Sequence, residues 1–156
     1  MKHQIILLGK DITSVYHGIK EFGPDHVHLL CTNETKEVAA PLFPLLPDSI
    51  RRTLYRTEPY DGEHVRNVCR KIHQTYPSAE FAYNLSEGTK VMAFAAFTIA
   101  KEYSVPAFYL SQLGELIRLD SFEKYPMKSQ LDNKEILGLS GNILTCLLYT
   151  SPSPRD

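Results

Sequence analysis

No apolar run in the chain is long enough to cross a bilayer: the longest stretches, such as residues 91–100, stop well short of the ~20 residues that a spanning helix needs. The opening Met1-Lys2-His3 passes directly into a strand-like run, without the pattern of a signal peptide. Both absences predict a soluble, cytoplasmic protein. An excess of charge of one sign is lacking too. The 17 Lys and Arg balance 18 Asp and Glu, for a formal net charge of −1. Broad, sequence-independent duplex binding relies on surplus cations to displace counterions from phosphates and is therefore disfavoured. A small anion held by a few aimed groups stays open. Cysteine is sparse: Cys31, Cys69 and Cys146 stand apart with no CxxC spacing, which suggests neither a zinc site nor a disulfide framework. No metal or cofactor is expected.

What is present is the composition of one globular domain, 156 residues with 43% hydrophobic and 22% charged. The six histidines are scattered. His26 and His28 flank Val27 in a strand-like run and so share one face; they could bind a metal as a pair, but a solvent-facing or edge-strand pair is the favoured reading. From Cys146 the chain reads Cys-Leu-Leu-Tyr-Thr-Ser-Pro-Ser-Pro-Arg-Asp, with no helical or strand period. This string resembles the translation of a transposase-type sequencing adapter, a tail that recurs on gene models from metagenomic reads. Residues 146–156 are thus expected to be non-native, with the natural gene continuing past about Thr145; a disordered Ser-Pro tail is the alternative.

The rest alternates between strand and helix. Residues 4–8 (QIILL) form a run without alternation, ending at Gly9, as expected of a central parallel strand. Asp11, Thr13 or Ser14 can cap a helix that reaches Phe22 before Gly23-Pro24. A second strand follows at residues 26–32, then a helical piece broken up by Pro41, Pro44 and Pro47, then a weak third strand at residues 53–56. Asp61-Gly62-Glu63 opens an amphipathic helix with Val65, Val68, Cys69 and Ile72 on one face. Residues 80–84 (EFAYN) are the fourth strand, and residues 89–103 a helix apolar nearly all round, suited to the interior or to a subunit interface. Residues 106–110 and 116–119 read as a terminal hairpin. A polar linker at residues 127–130 and a short helical signal at residues 132–139 look like the opening of a second module. The pattern predicts an α/β fold: a Rossmann-like, mostly parallel open sheet with helices on both faces.

Such sheets bind ligands at the carboxyl ends of their strands, where helix N-termini present free N–H groups. Two turns qualify. The first, Gly9-Lys10-Asp11-Ile12-Thr13-Ser14, has a glycine, a lysine and two hydroxyls suited to phosphate or ribose, but it lacks GxGxxG, so a dinucleotide cofactor is disfavoured. From these residues alone, a capped helix start with a solvated Lys10 is the favoured reading. The second, Asn84-Leu85-Ser86-Glu87-Gly88-Thr89-Lys90, has the wrong order for a P-loop, and ATP hydrolysis is not expected. It offers a nest of N–H groups, the hydroxyls of Ser86 and Thr89, and Lys90 in the first helical turn. That cation opposes the helix dipole, and a bound anion would explain its placement.

The string Asn84-Leu85-Ser86-Glu87-Gly88-Thr89-Lys90-Val91-Met92 resembles the N-x-[TS]-G-G-T-K-x-M signature of CARF domains, the Rossmann-like sensors of cyclic oligoadenylate in type III CRISPR antiviral defence, especially those fused to nucleases of the Card and Can kind. Residues 5–14 and 26–34 look like the first two βα units of that family. The resemblance covers about residues 1–119. It implies a sensor domain over residues 1–126, the start of a linking module at residues 127–145, and a missing nuclease effector.

It further implies a homodimer with the cyclic ligand across the two-fold axis, cyclic tetra-adenylate before cyclic hexa-adenylate, since an even ring matches that symmetry. Carried over by motif, Gly9, Lys10, Asp11, Thr13 and Ser14 contact the ligand from the first turn, and Asn84, Ser86, Gly88, Thr89 and Lys90 from the second. Thr32 and Asn33 form an adenine-side wall. Glu87 departs from the pattern, standing where the family has a glycine; its carboxylate either repels a phosphate or receives an adenine amino group or a ribose hydroxyl. Two alternatives stay open. One is a slow ring nuclease using Lys90 with Ser14 or Thr13, and the other a CARF-type transcription regulator lacking its DNA-binding part.

Overall fold

Strand β1, Lys2–Leu7, carries the unalternating Ile5-Ile6-Leu7 run, and all three side chains are fully buried because both faces of the sheet are covered there. The computed structural model describes residues 1–140, so Cys146 and the adapter-like tail lie outside the described residues. Asp11 caps helix α1, Ile12–Phe22, by accepting from Thr13 N, and Gly23 ends it in the left-handed region at φ +63°. Strands β2, His26–Cys31, and β3, Arg51–Arg56, are joined through two short 3₁₀ turns, Lys36–Ala39 and Phe43–Leu45. Pro41 and Pro44 keep this connection from becoming one regular helix. Asp61 caps α2, Gly62–Thr75, which leads to β4, Glu80–Asn84. Thr89 caps α3, Lys90–Glu102. Strands β5, Ala107–Leu110, β6, Glu115–Arg118, and β7, Lys124–Pro126, precede helix α4, Asn133–Ser140.

The seven strands form one sheet in the order β3-β2-β1-β4-β5-β6-β7. The first five are parallel, and β6 and β7 are antiparallel additions. The Rossmann-like, mostly parallel α/β fold expected from the sequence is the fold observed. Sequence patterning does not reveal β7, whose three residues are exposed; its Pro126 suits an edge strand, which has no further neighbour to bond.

Alternation along the strands divides the core. On one face Ile5, Leu7, Leu30, Phe81 and Tyr83 pack against α2 and α3; on the other Ile6, Leu8, Val27 and Leu29 pack against α1 and the 3₁₀ turns. Helix α3 buries Met92, Ala95, Ala96, Ile99 and Ala100 while leaving Val91 and Phe94 exposed.

One expectation is corrected. His26 and His28 are neither solvent-facing nor on an edge: they are 1% and 0% exposed, since β2 lies between β1 and β3 and Tyr76, at the end of α2, covers their face.

Residues 127–140 fold back over α1. The Ser129 amide and hydroxyl both donate to Glu21, at 2.6 and 2.7 Å, and His17 Nε2 donates to Ser129 O at 2.8 Å. Glu135 receives Tyr16 OH and, at 3.0 Å, Lys20 Nζ. The Tyr16 hydroxyl, with the Asp132 amide and Lys20, holds the Glu135 carboxyl at about 2. Leu139 completes the seam by burying against the α1 side of the core.

Candidate functional site

The strand order reverses at β1 and β4, which are neighbours although 76 residues separate the turns that follow them. The crevice at their carboxyl ends is the switch point at which open α/β sheets take ligands. Both turns singled out in the sequence open there.

In the second turn the side chains are largely committed to structure. Asn84 Oδ1 accepts from Ser86 N at 3.1 Å and from Ser86 Oγ at 2.6 Å, and Ser86 Oγ accepts from Leu110 N at 2.9 Å. Asn84 Nδ2 reaches across to donate to Ser14 O at 3.3 Å. Thr89 Oγ1 accepts from Met92 N at 3.1 Å as the α3 cap and donates to Pro59 O. Gly88 has φ +92°, and a Cβ there would stand 3.0 Å from Leu7 Cβ, so backbone conformation and close approach both require glycine.

Glu87 joins the two turns. Its Oε1 accepts from Asp11 N at 3.2 Å, and a Cβ on Gly9 would lie 2.4 Å from that oxygen. Burial pushes the Glu87 carboxyl above its usual value, opposed by the N–H groups of Asp11 and Lys10. The carboxylate therefore occupies amide donors of the first turn, a contact that adjacency of β1 and β4 creates.

The remaining predicted residues divide among three surfaces. Gly9, Lys10, Thr32, Gly88 and Thr89 line one cavity of about 320 Å³, with Glu87 at its wall. Asp11, Thr13 and Ser14 face a second cavity, on the other side of the first turn, together with His17 and Ser111. Lys90 is exposed and borders an apolar patch of Leu85, Ala93, Phe94, Phe97 and Leu119. Thr32 N and Oγ1 both bond Thr35 Oγ1, at 2.9 and 3.2 Å, and Asn33 Oδ1 accepts from Arg56 Nη1 at 3.2 Å.

Reading the two turns alone misses Pro59 and Tyr60 on the first cavity, Tyr60 being 79% exposed. They stand between the end of β3 at Arg56 and the Asp61 cap, so they too lie at the carboxyl end of the sheet; that position in the strand–cap pattern is the signal that finds them.

No known family profile and no curated protein matches the chain. Among solved structures, Can2 from Sulfobacillus thermosulfidooxidans, in complex with cyclic tetra-adenylate, superposes with a TM-score of 0.80 at 22% identity over 90% of this chain and 41% of that one. A type III CRISPR defence DNA nuclease activated by cyclic oligoadenylate gives 0.71 at 20% identity, over 89% of this chain and 23% of the nuclease. Csm6 from Enterococcus italicus, bound to cyclic hexa-2′-fluoro-hexa-dAMP, gives 0.62 at 16% identity, over 97% of this chain and 39% of that one. The chain spans less than half the length of each. Its fold is the Rossmann-like fold of these three proteins, the fold class that the Asn84–Met92 resemblance to CARF domains predicts. Among the described residues no helix is long and apolar enough to cross a membrane.

Proposed function

We propose that this chain is a cyclic oligoadenylate sensor, with cyclic tetra-adenylate as its ligand and a homodimer as its working form. The observation that carries the reading is the convergence of Gly9, Lys10, Gly88 and Thr89 on one cavity at the β1/β4 switch point. Here two backbone-rich turns approach each other, joined by the side chains of Glu87 and Asn84. The superposition on a Can2 that binds cyclic tetra-adenylate supports the same ligand class.

In this reading the free N–H groups of both turns, with Lys10 and Lys90, meet the phosphates. Thr32 forms part of the wall, and Tyr60 stacks on a base, an interaction worth about 1–3 kcal/mol. A cavity of about 320 Å³ is at the lower end of small-molecule sites. A four-nucleotide ring therefore draws on two copies, each giving the same donors to half of the ligand. The apolar α3 face bearing Val91 and Phe94 is the surface proposed to bring the copies together. The ligand shifts the dimer between arrangements only as far as it binds one better than the other. Residues 127–140, fastened to α1 by Glu21, Lys20 and Tyr16, are the proposed lever toward a C-terminal nuclease effector.

A second reading, ring nuclease activity, gains a specific observation. His17 lines the same cavity as Thr13 and Ser14, and its Nε2–H is spent on Ser129 O, leaving Nδ1 as an acceptor. That nitrogen is a candidate base for a ribose 2′-hydroxyl that attacks its own phosphate to give a 2′,3′-cyclic phosphate and release the 5′-hydroxyl, with Ser14 or Thr13 positioning the sugar; Lys90, expected to neutralise charge, borders a different surface. Thermal unfolding with cyclic tri-, tetra- and hexa-adenylate tests the sensor reading. The largest rise in Tm is expected with the tetra-adenylate, and no shift with any ring contradicts the reading. Ligand recovered intact after long incubation removes the nuclease alternative.

A further inference from the structure

At the opposite end of the sheet, three histidines meet that the ligand reading leaves unused. His3 is the register partner of His26 across β1 and β2, and His28 stands two residues further on the same face. All three are at most 3% exposed. One ring nitrogen from each lies within 4.8 Å of one from both others, and His3 Nδ1 is 2.9 Å from His28 Nε2. The other nitrogen of His28, Nδ1, is 2.8 Å from Tyr55 OH, and His26 Nε2 is 2.8 Å from Thr53 Oγ1. His28 and His26 are thus each tethered through one nitrogen to β3. Among the described residues the remaining nitrogen of His26, Nδ1, is buried without a hydrogen-bond partner. A polar atom buried in this way is costly and calls for an explanation.

We propose that His3, His26 and His28 form a binding site for a divalent transition-metal ion of the imidazole-favouring class, zinc in first place. Three imidazoles are a recognised zinc ligand set, two residues at i and i+2 of one strand with a third from its neighbour supply them from one face, and hydroxyl groups on the outer nitrogens are the supports that orient such ligands. Zinc–nitrogen bonds of about 2.0–2.1 Å place ligand nitrogens roughly 3.3 Å apart, so His3 Nδ1 and His28 Nε2 part slightly from 2.9 Å, the wider pairs close by up to about 1.5 Å, and the ion replaces the contact between His3 and His28. It also gives the orphaned His26 Nδ1 a partner. Burial, reinforced by the other histidines and by Arg51, holds His26 at about 4 and His28 at about 3, so at neutral pH these two rings are uncharged and have lone pairs available. The cleft lined by Met1, His3, Tyr76 and Pro77 opens onto the His3 side of the cluster, where a fourth ligand would enter. Such an ion pins the amino ends of β1 and β2, and through Tyr55 and Thr53 it braces β3. It lies at the far end of the strands from the nucleotide groove and does not depend on that reading.

The test titrates zinc sulfate into the EDTA-treated, dialysed full chain against a chromophoric chelator, with ring ¹⁵N shifts recorded on the wild-type protein. Expected are one zinc per chain, shifts confined to His3, His26 and His28, and a Tm higher by about 5–10 °C at a zinc concentration near 100 times the Kd. His3→Gln and His28→Gln should each weaken binding at least about tenfold, their folds being checked by Tm in EDTA. Absence of one-to-one binding, zinc-induced shifts at His17, His64 or His73 instead, or unchanged affinity in both variants overturns the proposal. The wild-type ring shifts decide the matter if a variant does not fold.

Discussion

Replacing Glu87 by glutamine keeps the shape of the side chain that joins the two turns and removes its charge. In the wild type its oxygen holds Asp11 N at 3.2 Å. A hydrogen bond to a charged acceptor is worth about 1.5–3 kcal/mol and a neutral one about 0.5–1.5 kcal/mol. Burial nevertheless raises the Glu87 carboxyl above its usual value, so the fold on balance disfavours its charge, and the neutral variant should keep or slightly gain Tm. Ligand binding should improve as well. A phosphate seated on the same amides would lie about 5 Å from the carboxylate, where like charges repel by about 3 kcal/mol at an effective dielectric constant of 20. With solvent screening, Glu87→Gln should tighten cyclic tetra-adenylate binding by about 10–100-fold in calorimetry at low salt. The carboxyl is raised above its usual value, so wild-type affinity should improve as pH falls toward that group's titration, whereas the variant's should not. Equal or weaker binding by the variant refutes the reasoning; weaker binding would mean that Glu87 receives an adenine amino group or a ribose hydroxyl.

Lys90→Ala should weaken ligand binding at least about tenfold while leaving Tm within a degree or two, since the side chain is exposed; unchanged affinity would remove Lys90 from the site. Phe94→Asp, on a residue 75% exposed on the apolar α3 face, should shift the protein from dimer to monomer in light scattering, and an unaltered mass would place the interface elsewhere. Acid should unfold the metal-free protein cooperatively. Burial holds His26 and His73 at about 4 and His28 at about 3, below the unfolded value of about 6.5, so the stability they contribute is complete above that value and is lost as pH falls toward 4. Each ring accounts for up to about 1.4 kcal/mol per pH unit, so the three rings together remove up to about 6 kcal/mol by pH 5 and about 10 kcal/mol by pH 4, which exhausts a stability in the lower part of the usual range of about 5–15 kcal/mol. Urea midpoints that stay flat from pH 7 to 5 would contradict this.

Local chemistry made most elements legible. The unalternating residues 4–8 mark a strand covered on both faces, and Asp11 and Asp61 open their helices where the structure starts them. The two turns could be located because a parallel sheet fixes where ligands go before any contact is known. What stayed hidden depends on strand adjacency. Glu87 and Asp11 meet only because β4 lies beside β1, and His3 joins His26 and His28 only through the β1–β2 register. The i, i+2 spacing puts His26 and His28 on one face but says nothing of whether that face is wet or dry. Strand β7 escaped notice because three exposed residues carry no periodic signal. Thr13 and Ser14 turned out to face a different cavity from Gly9 because the α1 helix begins between them.

The most direct measurement is calorimetric titration of the full chain with cyclic tetra-adenylate, with the mass of the complex taken in the same buffer. One ring per two chains in a dimeric complex is the predicted result. A monomer that gives no heat with this ring or with the hexa-adenylate would contradict the account.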